Sequence, residues 1–321
     1  IEYSIFSDVQ PNPTDINVME GIRIYRENRC DGIVAVGGGS PIDASKAIRM
    51  LTVNEGHISN YYDILGLSKE MPKLIAIPTT SGTGSEVSTG ALITDTNTNR
   101  KRIVRPGPPS LAIIDPQLTI GMPPQLTAST GMDALSHCVE GYVGKRYNPF
   151  ASAFAIYGIK LITKYIRTAV TDGSNISARA NMSIASAMGA LAFQKGLGIA
   201  HSLSHQLSTV ADVPHGVANA IILPYAMEFN LDCSAEEYAD IAIAMGIDPH
   251  GKTRYELARS GIDAIKQLVL DIGLPTRLSD VGVKEETIPI MAEMAMDDHC
   301  YLLNPRPCSE DDMLYLYHKA F

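Results

Sequence analysis

The stretch HSLSHQLSTVADVPHG, residues 201–216, gathers three of the chain's eight histidines. His201 and His205 lie four positions apart, so on a helix both imidazoles leave one face over adjacent turns. His215 follows in a Pro-His-Gly turn. GMDALSHCVE, residues 131–140, repeats the four-residue spacing with Asp133 and His137. One such histidine alone is more often a hydrogen-bonded core or surface residue. A carboxylate and several imidazoles that converge make a divalent-metal site with a position left open for a substrate oxygen. Spacing does not say which three histidines hold the metal.

A second chemistry is written in two glycine-rich turns. In IVAVGGGSPIDASK the apolar run Ile33 to Val36 enters Gly37, Gly38, Gly39 and Ser40, and a helix is expected from about Pro41. Glycine lets a phosphate approach the backbone, and a helix start offers free N–H groups and a favourable dipole. PTTSGTGSEV, residues 78–87, leaves a second apolar run, Leu74 to Ile77, with Thr79, Thr80, Ser81, Thr83 and Ser85 as donors. Neither loop carries the G-K-[ST] of a triphosphate-cleaving loop, so a dinucleotide held in place is the better expectation. A plain tight turn is the bland alternative for GGGS alone, and two such loops in succession weaken it. Glu86 is read as structural.

These residues need elements to hold them. Before residue 123, short apolar runs alternate with helical patterns: CDGIVAVGGGS, SPIDASKAIRML, KLIAIPTTSGTGSE, ALITDT and LAIIDP. Beyond it helical periods dominate, in segments starting at residues 126, 149, 178, 235, 253 and 284. The expectation is an α/β dinucleotide-binding domain with a Rossmann-like parallel sheet over 1–122, and an all-helical metal-binding, catalytic domain over 123–321. With no repeat or long linker, the halves are expected to pack directly around a cleft.

Composition bounds the partners. The 321 residues carry 45% hydrophobic side chains, 19% charge and a net charge of −9, without a basic block, which argues against nucleic acid and membrane surfaces. The longest apolar runs, such as ANAIILPYAM at 218–227, are too short to span a bilayer. Cysteines 30, 138, 233, 300 and 308 are odd in number and never spaced C-x-x-C, which excludes a thiolate zinc ribbon and fits a reducing compartment, the cytoplasm. The opening IEYSIFSDVQPNPT, an alternating apolar segment already under way, reads as a start inside a domain. His299 and Cys300 are adjacent and lack a spaced base, so a cysteine nucleophile is not favoured. His57 and His250 read as loop residues, and the methionines of MAEMAMDD as core filler.

Taken together, FSDVQPNPT, GGGSPIDASKA, PTTSGTGSEV, TGMDALSHCVEGYV, HSLSHQLSTVADVPHGVANAIILPYAMEFN and NPRPCSEDDMLYLYHKAF resemble the iron-containing (group III) alcohol dehydrogenases, which include lactaldehyde and propanediol reductases. The resemblance spans essentially the whole chain. It implies metal ligands at Asp133, His137, His201 and His215, with His205 left near the nicotinamide as a candidate proton relay. It implies dinucleotide contacts at Gly38, Gly39, Ser40, Asp43, Thr79, Thr80, Thr83 and Lys101. The implied activity is oxidation of a small primary alcohol or diol, or reduction of the aldehyde, with Fe2+ as Lewis acid and hydride passing to or from NAD or NADP. Zn2+ suits the same ligands, and a homo-oligomer, at least a dimer, is implied. Gln206 stands where many members have proline, and ADVPHG replaces a tyrosine-containing approach, which points to an atypical pocket lining. Family members carry a further strand and helix ahead of Ile1, including the acidic residue that helps choose NAD over NADP. Two other readings stay open: a dehydroquinate-synthase-like lyase, for which the cleft-lining Lys and Arg set is missing near the ligands, and a catalytically silent NAD-binding protein.

Overall fold

The structure, a computed structural model, describes residues 1–64 and 69–321. It has two compact units: Ile1–Thr80 with Gly84–Leu118, and Thr119–Phe321 with Ser81–Thr83.

In the first unit α1 (Asp15–Glu27) starts where Thr14 accepts from the Asn17 amide and the Asn17 side chain returns the bond, a reciprocal cap. It is followed by β1 (Gly32–Gly37), α2 (Gly39–Leu51), β2 (Lys73–Pro78), β3 (Ala91–Asp95), β4 (Arg100–Val104) and β5 (Leu111–Ala112). β1 and β2 are parallel in the register Val34 to Ile75, and β2 pairs in parallel with β5, giving the order β1-β2-β5. A crossover through α2 is what parallel pairing of successive strands demands. β3 and β4 form a separate antiparallel hairpin. Val18 and Ile22 of α1, Met50 and Leu51 of α2 and Ile93 of β3 pack into one core, and Ile42, Leu74 and Ala76 into a smaller one under the sheet.

Three details depart from the sequence reading. Residues 1–10 form no regular element, and Ile1, Tyr3 and Ile5 are exposed, because among the described residues no strand pairs with their alternating pattern. α2 starts two residues ahead of Pro41, with Gly38 as its cap; the proline still falls in the first turn, where its missing N–H costs nothing. The charged run RKRIV, for which the sequence suggests no element, is strand β4 through its pairing with β3.

The second unit contains α3 (Pro124–Val143), α4 (Pro149–Thr171), α5 (Ile176–Ala192), α6 (Ile199–Val210), α7 (His215–Asn230), α8 (Ala235–Ala244), α9 (Arg254–Asp271), α10 (Ile288–Met296) and α11 (Glu310–Ala320). α3 is buried on nearly every face, as a helix at the centre of a bundle must be. Its close approach to α4 depends on Gly158, where a Cβ would lie 2.6 Å from Cys138 Sγ. Polar caps set the ends of the surrounding helices: Asn148 before α4, Asn175 before α5, and reciprocal caps Thr253–Glu256 and Ser309–Asp312 before α9 and α11. α7 was hidden in the sequence because it is apolar all round and contains Pro224; it is nonetheless one helix, buried from Ala218 to Pro224. The core joins residues of all nine of these helices.

Candidate metal site and dinucleotide loops

Three helices of the second unit bring their polar residues to one point. α3 supplies Asp133 and His137 one turn apart, α6 supplies His201, and α7 begins with His215. The ligand-capable atoms of Asp133, His201 and His215 all lie within 4.8 Å of one another. Asp133 Oδ1 is 3.4 Å from His215 Nε2 and 3.8 Å from His137 Nε2, and the His137 and His201 rings stack at 4.8 Å. Asp133 is 3% exposed and His201 1%. Among the described residues no lysine or arginine pairs with Asp133; the imidazoles within 4 Å of its Oδ1 are those of His137 and His215.

The electrostatics prepare the imidazoles. Burial pushes His137 down to about 4 although Asp133 pulls the other way, so the ring is neutral at physiological pH, the form that ligates a metal. Burial opposes charge on His201 too, but there the Glu140 carboxylate, by its charge and a hydrogen bond, outweighs it and raises the imidazole. Glu140 is buried on α3, one turn beyond His137. Its Oε2 accepts from His201 Nδ1 at 2.5 Å and its Oε1 from the Ala200 amide at 2.7 Å. This holds the His201 proton on Nδ1 and leaves Nε2 to face the site, the outer-shell arrangement that tunes metal-binding histidines.

Glu140→Gln tests that role. With Gln Oε1 kept on the Ala200 amide, its NH2 faces His201 Nδ1, moves the ring proton to Nε2 and blocks the ligand. We expect metal affinity to fall roughly 10–100-fold, read by chelator competition; unchanged affinity contradicts the assignment.

His205 has a different partner. Its Nδ1 lies 2.7 Å from Asp298 Oδ2, and its ring stacks on His215 at 5.2 Å. Burial would raise the Asp298 carboxyl, but the His205 imidazole and the Cys300 amide, which donates to Oδ1 at 2.8 Å, hold it far below the usual carboxylate range. Asp298 ends the methionine-rich stretch read as filler; Met291 is indeed core, and the carboxylate two turns later is not. Glu140 sat in plain view in the same helix as Asp133 and His137. Asn219 gave no signal, because an amide in an apolar run reads as incidental.

In the first unit the two glycine-rich turns meet. The Thr79 amide donates to Gly37 O at 2.9 Å, and a Cβ on Gly38 would lie 3.3 Å from Thr80 Oγ1. Gly37 has φ +153, a conformation that favours glycine. Gly39 and Ser40 open α2, and Ser40 Oγ accepts from the Asn12 amide at 3.2 Å. Gly38, Gly39, Ser40, Thr79 and Thr80 are thus gathered at one helix start. Asp43, in the second turn of α2, accepts from Ser85 Oγ and from the Leu92 amide at 2.9 Å, with Lys46 Nζ at 3.2 Å. Lys46, fully buried, donates to Ser88 Oγ and Gly90 O. Lys101 lies on β4 opposite Thr94. Thr83 belongs to Ser81–Thr83, which packs with the helical unit: Ser81 Oγ is 2.8 Å from Ser183 Oγ.

Two family models match, "Iron-containing alcohol dehydrogenase" over residues 1–116 and "Fe-containing alcohol dehydrogenase family, C-terminal" over 127–321. The chain belongs to the iron-containing alcohol dehydrogenases. It is 44% identical to a 1,3-propanediol dehydrogenase of Klebsiella pneumoniae, over 100% of this chain and 84% of the relative. It is 38% identical to the lactaldehyde reductase of Escherichia coli K12, over 100% of this chain and 85% of that one. A crystal structure of a 1,3-propanediol oxidoreductase superposes with a TM-score of 0.97 at 43% identity, covering 99% of this chain and 84% of the other. The activity class of this iron-containing alcohol dehydrogenase is therefore oxidoreduction of alcohols and aldehydes, with a metal and a nicotinamide dinucleotide as cofactors. The lyase and silent-binder readings are not favoured. Among the described residues no helix is long and apolar enough to cross a membrane.

Proposed function

We propose that the chain interconverts small primary alcohols or diols and their aldehydes, with Asp133, His137, His201 and His215 holding Fe2+, or Zn2+ in its place. The observation that carries this reading is the convergence of Asp133, His201 and His215 donor atoms within 4.8 Å, around a buried carboxylate that no Lys or Arg neutralises among the described residues. A buried anion of this kind calls for a counter-charge, and one carboxylate with imidazoles suits a borderline divalent cation better than Mg2+ or Ca2+. The residues fit the metal.

The cofactors supply Lewis-acid polarisation of the substrate oxygen and a nicotinamide hydride acceptor or donor. The chain's own residues do the rest. Glu140 keeps the His201 proton on Nδ1. Asp298, ionised, holds His205 by Nδ1, which leaves the other ring nitrogen to accept or return a proton. Gly38, Gly39 and Ser40 at the start of α2, with Thr79 and Thr80, offer backbone and hydroxyl donors to a pyrophosphate, and Thr83 and Lys101 are further contacts. Asp43 is a further contact, held in place by its hydrogen bonds with Ser85 and Leu92. We divide the chain at about residue 122 into dinucleotide-binding and metal-binding domains. We assign it to the cytoplasm, in keeping with the absence of any disulfide among the described residues, and to a homo-oligomer.

Two substitutions separate the parts. Gly39→Val puts a branched side chain over the first turn of α2; NAD(H) binding, followed by nicotinamide fluorescence, should be lost while metal content stays near that of the parent. Loss of both together would show that the two sites are not separable. His205→Ala should retain the metal and lower kcat by roughly 10²–10⁴, the usual worth of a general acid–base. Loss of the metal would make His205 a ligand.

A further inference from the structure

Asn219 lies on α7, one turn beyond His215, with 0% exposure. Its Nδ2 is 2.9 Å from Asp133 Oδ1, 3.1 Å from His215 Nε2 and 3.5 Å from His201 Nε2. The same three acceptor atoms are the convergent donors of the metal site. An NH2 group has two hydrogens, so it cannot satisfy three acceptors well. Its other end is worse placed: Asn219 Oδ1 is buried with no hydrogen-bond partner among the described residues. A buried acceptor left without a partner destabilises the fold. Turning the amide over would aim Oδ1 at a carboxylate oxygen and imidazole lone pairs, which is more costly still. The carboxamide orientation is therefore imposed by the ligand atoms.

We propose that Asn219 is a positioning residue of the metal site, which orients Asp133 by donating to its Oδ1 and so sets the affinity of the site for its metal. Imidazole Nε2 has a single lone pair, so its contact with the Asn219 amide gives way when it ligates. A carboxylate oxygen has a second lone pair and accepts from Asn219 while it ligates. The Asn219–Asp133 bond is the one that survives in the loaded site, and it prevents the carboxylate from turning away from the imidazoles. This inference rests on the metal-site reading given above.

The test uses the full chain, stripped of metal, with the Zn2+ dissociation constant measured by competition with a chromogenic chelator and no reference to activity. Asn219→Leu, matched in size, should raise the dissociation constant roughly 10–100-fold, as loss of an outer-shell partner does. Should Asn219→Leu not fold, Asn219→Ser removes the same donor with a smaller polar side chain, and the same weakening is expected. Asn230→Leu is the control. That buried amide on the same helix exchanges hydrogen bonds with Asn304 at 2.9 and 2.7 Å, so its loss should lower the melting temperature and leave the dissociation constant unchanged. Parent-like affinity in a folded Asn219 variant overturns the proposal while the metal site stands. Failure of the parent to bind Zn2+ overturns both.

Discussion

His201→Ala should yield protein without bound metal and without metal-dependent turnover. The substitution removes one of the three donors that converge within 4.8 Å, and it strips the Glu140 Oε2 of its partner in a fully buried setting. Losing the ligand should cost at least the roughly 10–100-fold in metal affinity that loss of an outer-shell partner costs. Stranding Glu140 adds a stability cost of about 1–3 kcal/mol, visible as a lower melting temperature of the metal-free protein. His215→Ala separates these effects, because its side chain is 27% exposed, against 1% for His201. It should lose metal with a smaller fall in melting temperature. Elemental analysis and thermal melting of both variants check this, and a His201→Ala protein that keeps a full complement of metal contradicts the ligand assignment.

Gly216→Ala should have the second largest effect, although it changes a residue with no polar side chain. A Cβ at Gly216 would lie 2.2 Å from the Ser129 carbonyl oxygen and 2.6 Å from its carbon. Both are backbone atoms, so no side chain can swing aside, and the first turn of α7 must back away from α3. His215 precedes Gly216, and Asp133 is one turn beyond Ser129, so two proposed ligands move apart with the helices. Overpacking of this kind costs about 1–3 kcal/mol, a fall of several degrees in melting temperature for a chain of this size, and metal occupancy should fall with it. Gly246→Ala is the contrasting case: φ is +91 and nothing lies within 4 Å of its Cβ. It should cost backbone strain alone, about 1–2 kcal/mol, with metal content intact.

The sequence carried the helix spacing of the site, and spacing has a limit. Asp133 and His137, like His201 and His205, leave one face of one helix, which is enough to nominate them. It does not say which neighbour each ring nitrogen meets. His201 turns to Glu140 and Asp133, while His205 one turn later turns to Asp298, two residues past the end of α10. Glu140 shared a helix with Asp133 and His137, but nothing set it apart from the solvated acidic residues usual on helices; Asp298, beyond the end of α10, carried no spacing signal, and only tertiary packing brings each carboxylate to its imidazole. The first two parallel strands were legible as short apolar runs, IVAV and LIAI, each leading into a loop that contains glycine. β4 was not, since its charged residues look like surface until the partner strand is seen. α7 was masked by its evenly apolar composition, which has no helical period to read.

The most direct measurement is oxidation of NADH and NADPH with a panel of short aldehydes, using protein stripped of metal and reconstituted anaerobically with Fe2+ or Zn2+. Turnover that is absent in the stripped protein, returns with metal and stays absent in His201→Ala is the predicted result. Turnover undiminished by metal removal, or none with any metal despite measurable NADH binding, would contradict the account.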